Sequence, residues 1–162
     1  MDNSTLLQSA QSLLSPMTER FETPEPEQLN AYLPVEHLLE AVKAVLSAGE
    51  FYLATITGLD VPPADGQEGQ IELLYHFCCG KVVVTLRTRV NYADPAAPSV
   101  CGLIPMATLY EREVMELFGV KLTGTPVTDK LLLPDDWPDG VYPLRKSFKG
   151  FENGKPVISE GA

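Results

Sequence analysis

A short segment, residues 108–119, constrains the fold of this chain most, because its apolar and charged residues have the spacing of an amphipathic helix. Thr108 and Glu111 stand three residues apart, as in a capping box, which predicts that a helix begins at Thr108. Gly119 is the residue type expected just past a helix end. The predicted apolar face consists of Tyr110, Val114, Leu117 and Phe118.

The charged residues of this helix take different positions around its axis. Arg112 and Glu116, four residues apart, share the face opposite the apolar one. Glu111 and Glu113 lie at the two borders, where charged groups are well placed to meet a neighbouring loop or a partner. We interpret the glutamates as structural or interface groups, and Arg112 as the partner of Glu116 or of another carboxylate. A carboxylate pair with raised pKa for acid–base catalysis is the alternative.

The composition is that of one globular domain: 162 residues, of which 44% are hydrophobic and 21% charged. The net charge of −10 makes nucleic acid and anionic lipid poor partners. No apolar run approaches the roughly 20 residues that span a bilayer, and the first residues do not resemble a signal peptide. We therefore expect a cytosolic protein without direct membrane insertion, whose three cysteines are reduced, buried and structural.

The periodicities along the chain predict an α+β, two-layer sandwich, in which helices cover one side of a single mixed β-sheet. Two segments before residue 50 have helical spacing, and two segments after residue 70 alternate as half-buried strands. A segment with two prolines between the helices is expected to be an edge strand or an extended connector. In chain order these segments are residues 5–14, 21–31, 34–49, 71–77 and 81–90; residues 58–69 are expected to form an exposed loop.

The last two strands are expected to form a hairpin with Cys79 and Gly80 in its turn. That turn would place Glu72 directly opposite Arg87. We predict that these two side chains form a cross-strand ion pair.

After the predicted helix the periodicity is lost, and prolines and glycines separate several large apolar residues. We expect residues 1–120 to form the α+β body and residues 121–162 an irregular C-terminal extension of the same domain that docks on its own body or on a partner. This extension carries Arg145 and Lys146. We predict that one of them binds a glutamate of the helix or a carboxylate of a partner.

Two groups of possible metal ligands have simpler explanations. Asp135 and Asp136 match no calcium loop and have the setting of a surface turn. His76 stands near Cys78 and Cys79 but lacks the further ligands that a zinc site requires. The glycines form no phosphate-binding loop. We therefore expect no metal, no cofactor and no catalytic residue on this chain.

Four motifs follow one another at close spacing. The first runs from Glu111 to Val120 and reads Glu-Arg-Glu-x-x-Glu-Leu-Phe-Gly-Val; the others are Gly124-x-Pro126, Leu132-Leu-Pro134 and Pro143-Leu-Arg-Lys146. Together they resemble the signature of the 30 kDa subunit family of respiratory complex I, or NADH-quinone oxidoreductase. The family includes the related subunit of membrane-bound nickel–iron hydrogenases. Departures from the family pattern stand at Leu109, Thr125 and Asp129.

The resemblance implies a subunit without a redox centre in the peripheral arm of a proton-translocating complex, on the cytoplasmic face of the cell membrane. The implied partners are a large quinone-site subunit of the 49 kDa type, or a hydrogenase large subunit, and iron–sulfur subunits. Iron–sulfur clusters and quinone, or a nickel–iron centre, would belong to the complex. The residues implied to serve structure and partner docking are Glu111, Arg112, Glu113, Glu116, Phe118, Gly119, Gly124, Pro126, Pro143, Leu144, Arg145 and Lys146.

Three interpretations of function remain open at this point. The first is a positioning subunit of an NADH- or ferredoxin-linked quinone oxidoreductase, and the second is the equivalent subunit of an energy-converting hydrogenase. The third, from a different class, is a free-standing acid–base enzyme built on the glutamate helix.

Overall fold

The structure, a computed structural model, describes residues 2–157. Its helices are α1 (Asn3–Leu14), α2 (Leu38–Ala48) and α3 (Ala107–Phe118). The strands of the main sheet are β1 (Arg20–Glu22), β2 (Gln28–Tyr32), β3 (Tyr52–Val61), β4 (Gln70–Cys79) and β5 (Val82–Asn91). Two further strand pairs are β6 (Ala96–Pro98) with β7 (Lys121–Thr123), and β8 (Phe151–Glu152) with β9 (Lys155–Pro156).

The main sheet is mixed and has the strand order β1-β2-β5-β4-β3, in which only β2 and β5 are parallel neighbours. Successive side chains of a strand point to opposite faces of the sheet, and the apolar ones lie mainly on one face. On β4 the buried side chains of that face are Ile71, Leu73, Tyr75 and Phe77. The three helices pack on this face and share one hydrophobic core with it. The predicted two-layer α+β sandwich is confirmed.

Two predicted segments differ from the structure. The proline-containing segment forms two strands: β1 is an edge strand, as predicted, whereas β2 lies inside the sheet between β1 and β5. The predicted loop is too long, since residues 58–61 continue β3. Gly58 serves this strand by its lack of a side chain: a Cβ there would lie 2.5 Å from the ring of Phe118, which packs against the strand at that point.

The hairpin between β4 and β5 forms, but its turn comes one residue later than predicted. Cys79 pairs with Val82, so the turn residues are Gly80, in the left-handed region at φ +58°, and Lys81. Glu72 consequently lies opposite Arg89, and the predicted register is wrong. The predicted ion pair is confirmed as a diagonal one, with 2.8 Å between Arg87 Nε and Glu72 Oε1.

Helix α3 ends as predicted but does not begin as predicted. Gly119 follows it at φ +73°, and its N–H donates to the Met115 carbonyl at 3.0 Å. At the other end the capping box is wrong, because Met106 precedes the helix and Thr108 lies inside its first turn. Glu111 is turned into the core, so it cannot take part in a capping box.

Gly119→Ala should destabilise the chain more than Gly140→Ala. Both glycines have a positive φ, +73° and +75°, which costs an L-residue about 1–2 kcal/mol. At Gly119 a Cβ would also overlap the ring of Tyr142, whereas at Gly140 nothing lies within 4 Å. We expect urea unfolding to give a loss of about 2–4 kcal/mol for the first variant and about 1 kcal/mol for the second. Equal losses would contradict the close approach of Tyr142.

Candidate functional site

The charged residues of α3 bind backbone groups of the chain's own C-terminal segment, the irregular stretch between β7 and β8. Glu116 accepts hydrogen bonds from the backbone N–H groups of Leu131 at 2.9 Å and Leu132 at 2.6 Å, with a longer contact of 3.4 Å to Leu133. Bonds to an ionised acceptor are stronger than those between neutral groups. One carboxylate therefore fixes three successive residues of a segment that has no regular secondary structure.

Arg112 acts on the same stretch from the neighbouring position on the helix. Its Nε donates to the Asp129 carbonyl at 2.8 Å and its Nη2 to the Lys130 carbonyl at 2.9 Å. The predicted pairing of Arg112 with Glu116 or another carboxylate is therefore wrong within the described chain. The guanidinium bears planar, forked donors that suit two successive carbonyl oxygens.

Lys130 extends this arrangement away from the helix. Its Nζ donates to the carbonyls of Trp137 at 2.8 Å, Asp135 at 3.1 Å and Pro134 at 3.3 Å. Trp137 Nε1 in turn donates to the Val141 carbonyl at 2.8 Å. The segment thus folds around side chains that satisfy its backbone.

Glu111 is fully buried, and its predicted place at the border of the helix is wrong. Its carboxylate accepts hydrogen bonds from the backbone N–H of Val100 at 2.7 Å, the hydroxyl of Ser99 at 2.8 Å and the thiol of Cys101 at 3.2 Å. Three donors offset the cost of removing a carboxylate from water. Burial also raises the pKa of the Cys101 thiol, which keeps it protonated as a donor.

Arg145 binds the C-terminal end of α3. Its Nε donates to the Phe118 carbonyl at 2.7 Å, and its guanidinium lies over the rings of Tyr92 at 4.9 Å and Tyr142 at 4.8 Å. A cation there also meets the negative end of the helix dipole. The C-terminal segment does dock on α3, but the predicted bond from Arg145 to a helix glutamate is wrong within the described chain.

Asp60, which sequence reasoning missed, forms a second attachment for this segment. It is buried at the end of β3 and accepts hydrogen bonds from the Tyr92 hydroxyl and from the backbone N–H of Lys146, the latter at 2.7 Å. The Lys146 side chain itself is exposed. Burial, with the hydrogen bond to Asp60, raises the pKa of Tyr92 to about 12. An aspartate in an expected loop gave no signal of this role.

The remaining motif residues occupy separate places. Glu113 lines a groove of about 230 Å³ between α3 and β3, and the half-exposed Leu144 also lines it. Gly124, at φ +89°, follows β7 and precedes Pro126, away from the bonds of Glu116. Pro143 lies next to Leu144, whose N–H donates to the Leu117 carbonyl at 3.2 Å. The docking role predicted for these residues stays a prediction.

The residues considered as possible zinc ligands, His76, Cys78 and Cys79, do not form a metal site within residues 2–157. His76 Nδ1 lies 3.1 Å from the Thr85 hydroxyl, and burial, together with the charge of Arg87, lowers its pKa. Cys78 and Cys79 are only half-buried, so the prediction of three buried thiols holds for Cys101 alone. Across residues 2–157, no three acidic, cysteine or histidine residues meet as metal ligands. Over the same range no helix is long and apolar enough to cross a membrane.

Glu116→Gln should loosen the C-terminal segment. Hydrogen bonds to a charged group contribute about 1.5–3 kcal/mol each, so we expect amide hydrogen exchange at Leu132 to become at least about tenfold faster. Glu113→Gln is the matched control, because Glu113 accepts no hydrogen bond within residues 2–157. Unchanged exchange at Leu132 in the Glu116 variant, or an equal change in the control, would contradict this assignment.

The bond between Tyr92 and Asp60 should weaken in alkali. Because folding favours the neutral phenol, its contribution to stability is complete below about pH 10, the ordinary pKa of tyrosine, and is lost as the pH rises through about 12. The stability difference between wild type and Tyr92→Phe in urea unfolding should therefore shrink over this interval. Tyr52→Phe, at an exposed tyrosine, should show no such trend. A constant difference for the Tyr92 variant would count against the bond.

Comparison with known proteins shows what this arrangement is similar to. A family described as "Respiratory-chain NADH dehydrogenase, 30 Kd subunit" matches residues 31–153. The F(420)H(2) dehydrogenase of Methanosarcina mazei has a subunit that is 30% identical over 94% of this chain and 96% of its own length. Formate hydrogenlyase subunit 5 of Escherichia coli is 34% identical over 74% of this chain, which spans only 21% of that longer protein.

The fold is similar to that of a solved respiratory protein as well. A chain of the membrane-bound sulfane sulfur reductase, an archaeal respiratory membrane complex, superposes with a TM-score of 0.71 and 25% identity, over 90% of this chain and 84% of its own. Helix α3, the residues that follow it up to 153, and the strands β3, β4 and β5 fall within the matched range. The chain therefore belongs to the 30 kDa subunit family of respiratory-chain NADH dehydrogenase, whose members occur in NADH-quinone oxidoreductases and related complex I-type enzymes.

Proposed function

We propose that this chain is a cofactor-free, positioning subunit in the peripheral arm of a complex I-type oxidoreductase. One observation carries this proposal. Four charged residues of the family signature bind backbone groups of their own chain: Glu111, Glu116, Arg112 and Arg145. Such residues give a proline-rich segment one shape. Because these four charged groups are engaged by the backbone, they do not form a reactive pair for chemistry on a substrate.

The shaped segment presents apolar side chains to the outside, which supports a docking role. Leu132, Leu144 and Phe151 are 59%, 53% and 63% exposed. Exposed apolar groups on a rigid support mark surfaces that other proteins cover, and interfaces of permanent complexes are large and apolar. We propose that residues 121–162 form the docking extension of the α+β body.

We propose as the main partner a large subunit, either of the quinone-site type or of the hydrogenase type, with iron–sulfur subunits next to it. Formate hydrogenlyase subunit 5 supports this partner, because in that longer protein a region similar to this chain is covalently joined to additional sequence. The iron–sulfur clusters and quinone of the complex would be held by these partners. This chain would bind them on the cytoplasmic face of the membrane and keep the electron carriers at fixed separations.

The equivalent subunit of a membrane-bound energy-converting hydrogenase is the second candidate. It is supported by the 34% identity to formate hydrogenlyase subunit 5 over 74% of this chain. The free-standing acid–base enzyme has less support. Two of its three glutamates, Glu111 and Glu116, are occupied by backbone N–H groups and would not be free to move a proton.

Purification of the tagged chain from gently solubilised membranes tests the proposal. We expect it to bring down a large subunit and iron–sulfur subunits, identified by mass spectrometry. A quinone-binding large subunit would assign a quinone oxidoreductase, and a nickel-bearing one a hydrogenase. A monodisperse monomer that turns over a substrate would overturn the proposal.

A pair of leucine variants tests the docking extension within the same experiment. Leu144→Asp places a charge on the proposed surface, and we expect at least a tenfold loss of recovered partner subunits. Leu13→Asp on α1 is the matched control, since Leu13 is 42% exposed and lies outside the extension. Both variants should unfold at the wild-type temperature in isolation. Equal recovery with both variants would contradict the docking role of the extension.

A further inference from the structure

The sheet face opposite the helices carries a charged cleft that the family signature does not include. Its volume is about 320 Å³, and it lies where β1, β2, β5 and β4 run side by side. Three of the five arginines of the chain, Arg20, Arg87 and Arg89, line it. This concentration is unexpected in a protein with a net charge of −10. With Glu19 and Glu72 also in its lining, the cleft carries three positive charges against two negative ones.

A single buried carboxylate holds two of these arginines. Glu72 is 1% exposed, and its two oxygens accept from Arg87 Nε at 2.8 Å and from Arg89 Nη2 at 3.4 Å. The second contact is long for a hydrogen bond. Two guanidinium groups thus share one buried carboxylate, and Glu22 is a second carboxylate that acts on Arg87. Burial works to lower the pKa of Arg87, but Glu72, Tyr32 and Glu22 together raise it, and the net shift is upward.

The guanidinium donors of this pair are largely unused. A guanidinium has five N–H groups, and Arg87 engages only its Nε within the part of the chain that the structure describes. Arg89 engages only one terminal nitrogen, and its side chain is 47% exposed. Glu19 also lines the cleft but bonds to neither arginine. Acceptors for these donors must come from water or from another molecule.

The cleft is also held in place before any ligand binds. The guanidinium groups of Arg20 and Arg87 lie over the ring of Tyr32, at 3.6 and 4.7 Å from its centre. The Tyr32 hydroxyl donates to Glu22 at 2.6 Å, and Glu22 also pairs with Arg20. Stacked guanidiniums lose less conformational freedom on binding, so the cost of ordering them is reduced.

One exposed apolar residue, Leu59, lies in the row of the sheet that includes Glu72 and Arg89 of the cleft. Leu59 of the edge strand β3 pairs directly with Glu72, which pairs with Arg89, so the three form one row across the open face. Leu59 is 44% exposed. An exposed leucine beside charged donors fits the surface of a polypeptide better than it fits a small free anion.

We propose that this cleft is a second docking point, at which Arg87 and Arg89 bind a carboxylate side chain of a neighbouring subunit. The inference rests on the proposed function, because it requires that the chain sits in a multisubunit complex. It adds a surface on the sheet side, separate from the C-terminal extension on the helix side. Forked donors on paired guanidiniums favour a two-oxygen acceptor such as aspartate or glutamate.

Charge reversal at the more exposed arginine tests the proposal in the assembled complex. Arg89→Glu should reduce the partner subunits recovered with the tagged chain at least tenfold, and Arg89→Gln should reduce them less. Lys81→Glu makes the same change of charge in the exposed hairpin turn and should leave recovery at the wild-type level. Arg87 is not suitable, since its loss would leave Glu72 buried without its closest partner. Unfolding temperatures of the isolated variants show that each still folds.

The outcomes separate this inference from the proposed function. If the wild-type chain recovers no partner, both fail. If it recovers partners and Arg89→Glu recovers them equally well, the docking point is wrong and the positioning role stands. Binding of inorganic phosphate at the Arg89 side chain of the isolated protein, seen by NMR, together with unimpaired assembly of Arg89→Glu, would overturn the inference in favour of a free anion.

Discussion

The hydrogen bonds that Glu116 accepts from three successive backbone N–H groups are the interaction on which the C-terminal segment depends. A segment broken by prolines cannot pair its backbone in a helix or a strand, yet its polar groups still need partners where they leave water. Glu116 supplies acceptors for its N–H groups, and Arg112 and Lys130 supply donors for its carbonyls. Side chains thus replace the secondary structure that the segment cannot form.

This arrangement requires that α3 itself be fixed, and the sheet provides that. The missing side chain of Gly58 lets Phe118 pack against β3, and Gly119 lets Tyr142 pack against the end of the helix. Arg145 then binds the last carbonyl of α3 from its place between two tyrosine rings. The order of dependence runs from the core to the helix and from the helix to the irregular segment. A loss of packing at the first step would be transmitted to the last.

The sequence predicted the parts of this arrangement that follow from periodicity and residue type. Helical and strand spacing identified α3, β4 and β5, and Gly119 was recognised because a left-handed helix end favours glycine. The roles of Glu111 and Arg112 could not be predicted in the same way. Their partners are backbone groups far along the chain, and a backbone N–H or carbonyl has no signature in the residue type. The predicted hairpin register is wrong for a local reason. Moving the turn by one residue changes the partner of every residue by two positions, so each side chain stays on the same face of the sheet.

The two sides of the molecule use charge differently, and this difference bears on how one type of subunit serves several enzymes. On the helix side, four charged motif residues bind backbone groups of their own chain: Glu111, Arg112, Glu116 and Arg145. Hydrogen bonds within one chain do not depend on which electron donor the enzyme uses. Relatives named for F(420)H(2) dehydrogenase, formate hydrogenlyase and NADH-quinone oxidoreductase are consistent with that independence. On the sheet side, donors of Arg87 and Arg89 remain unused within the described residues, and we propose that they recognise a neighbouring subunit.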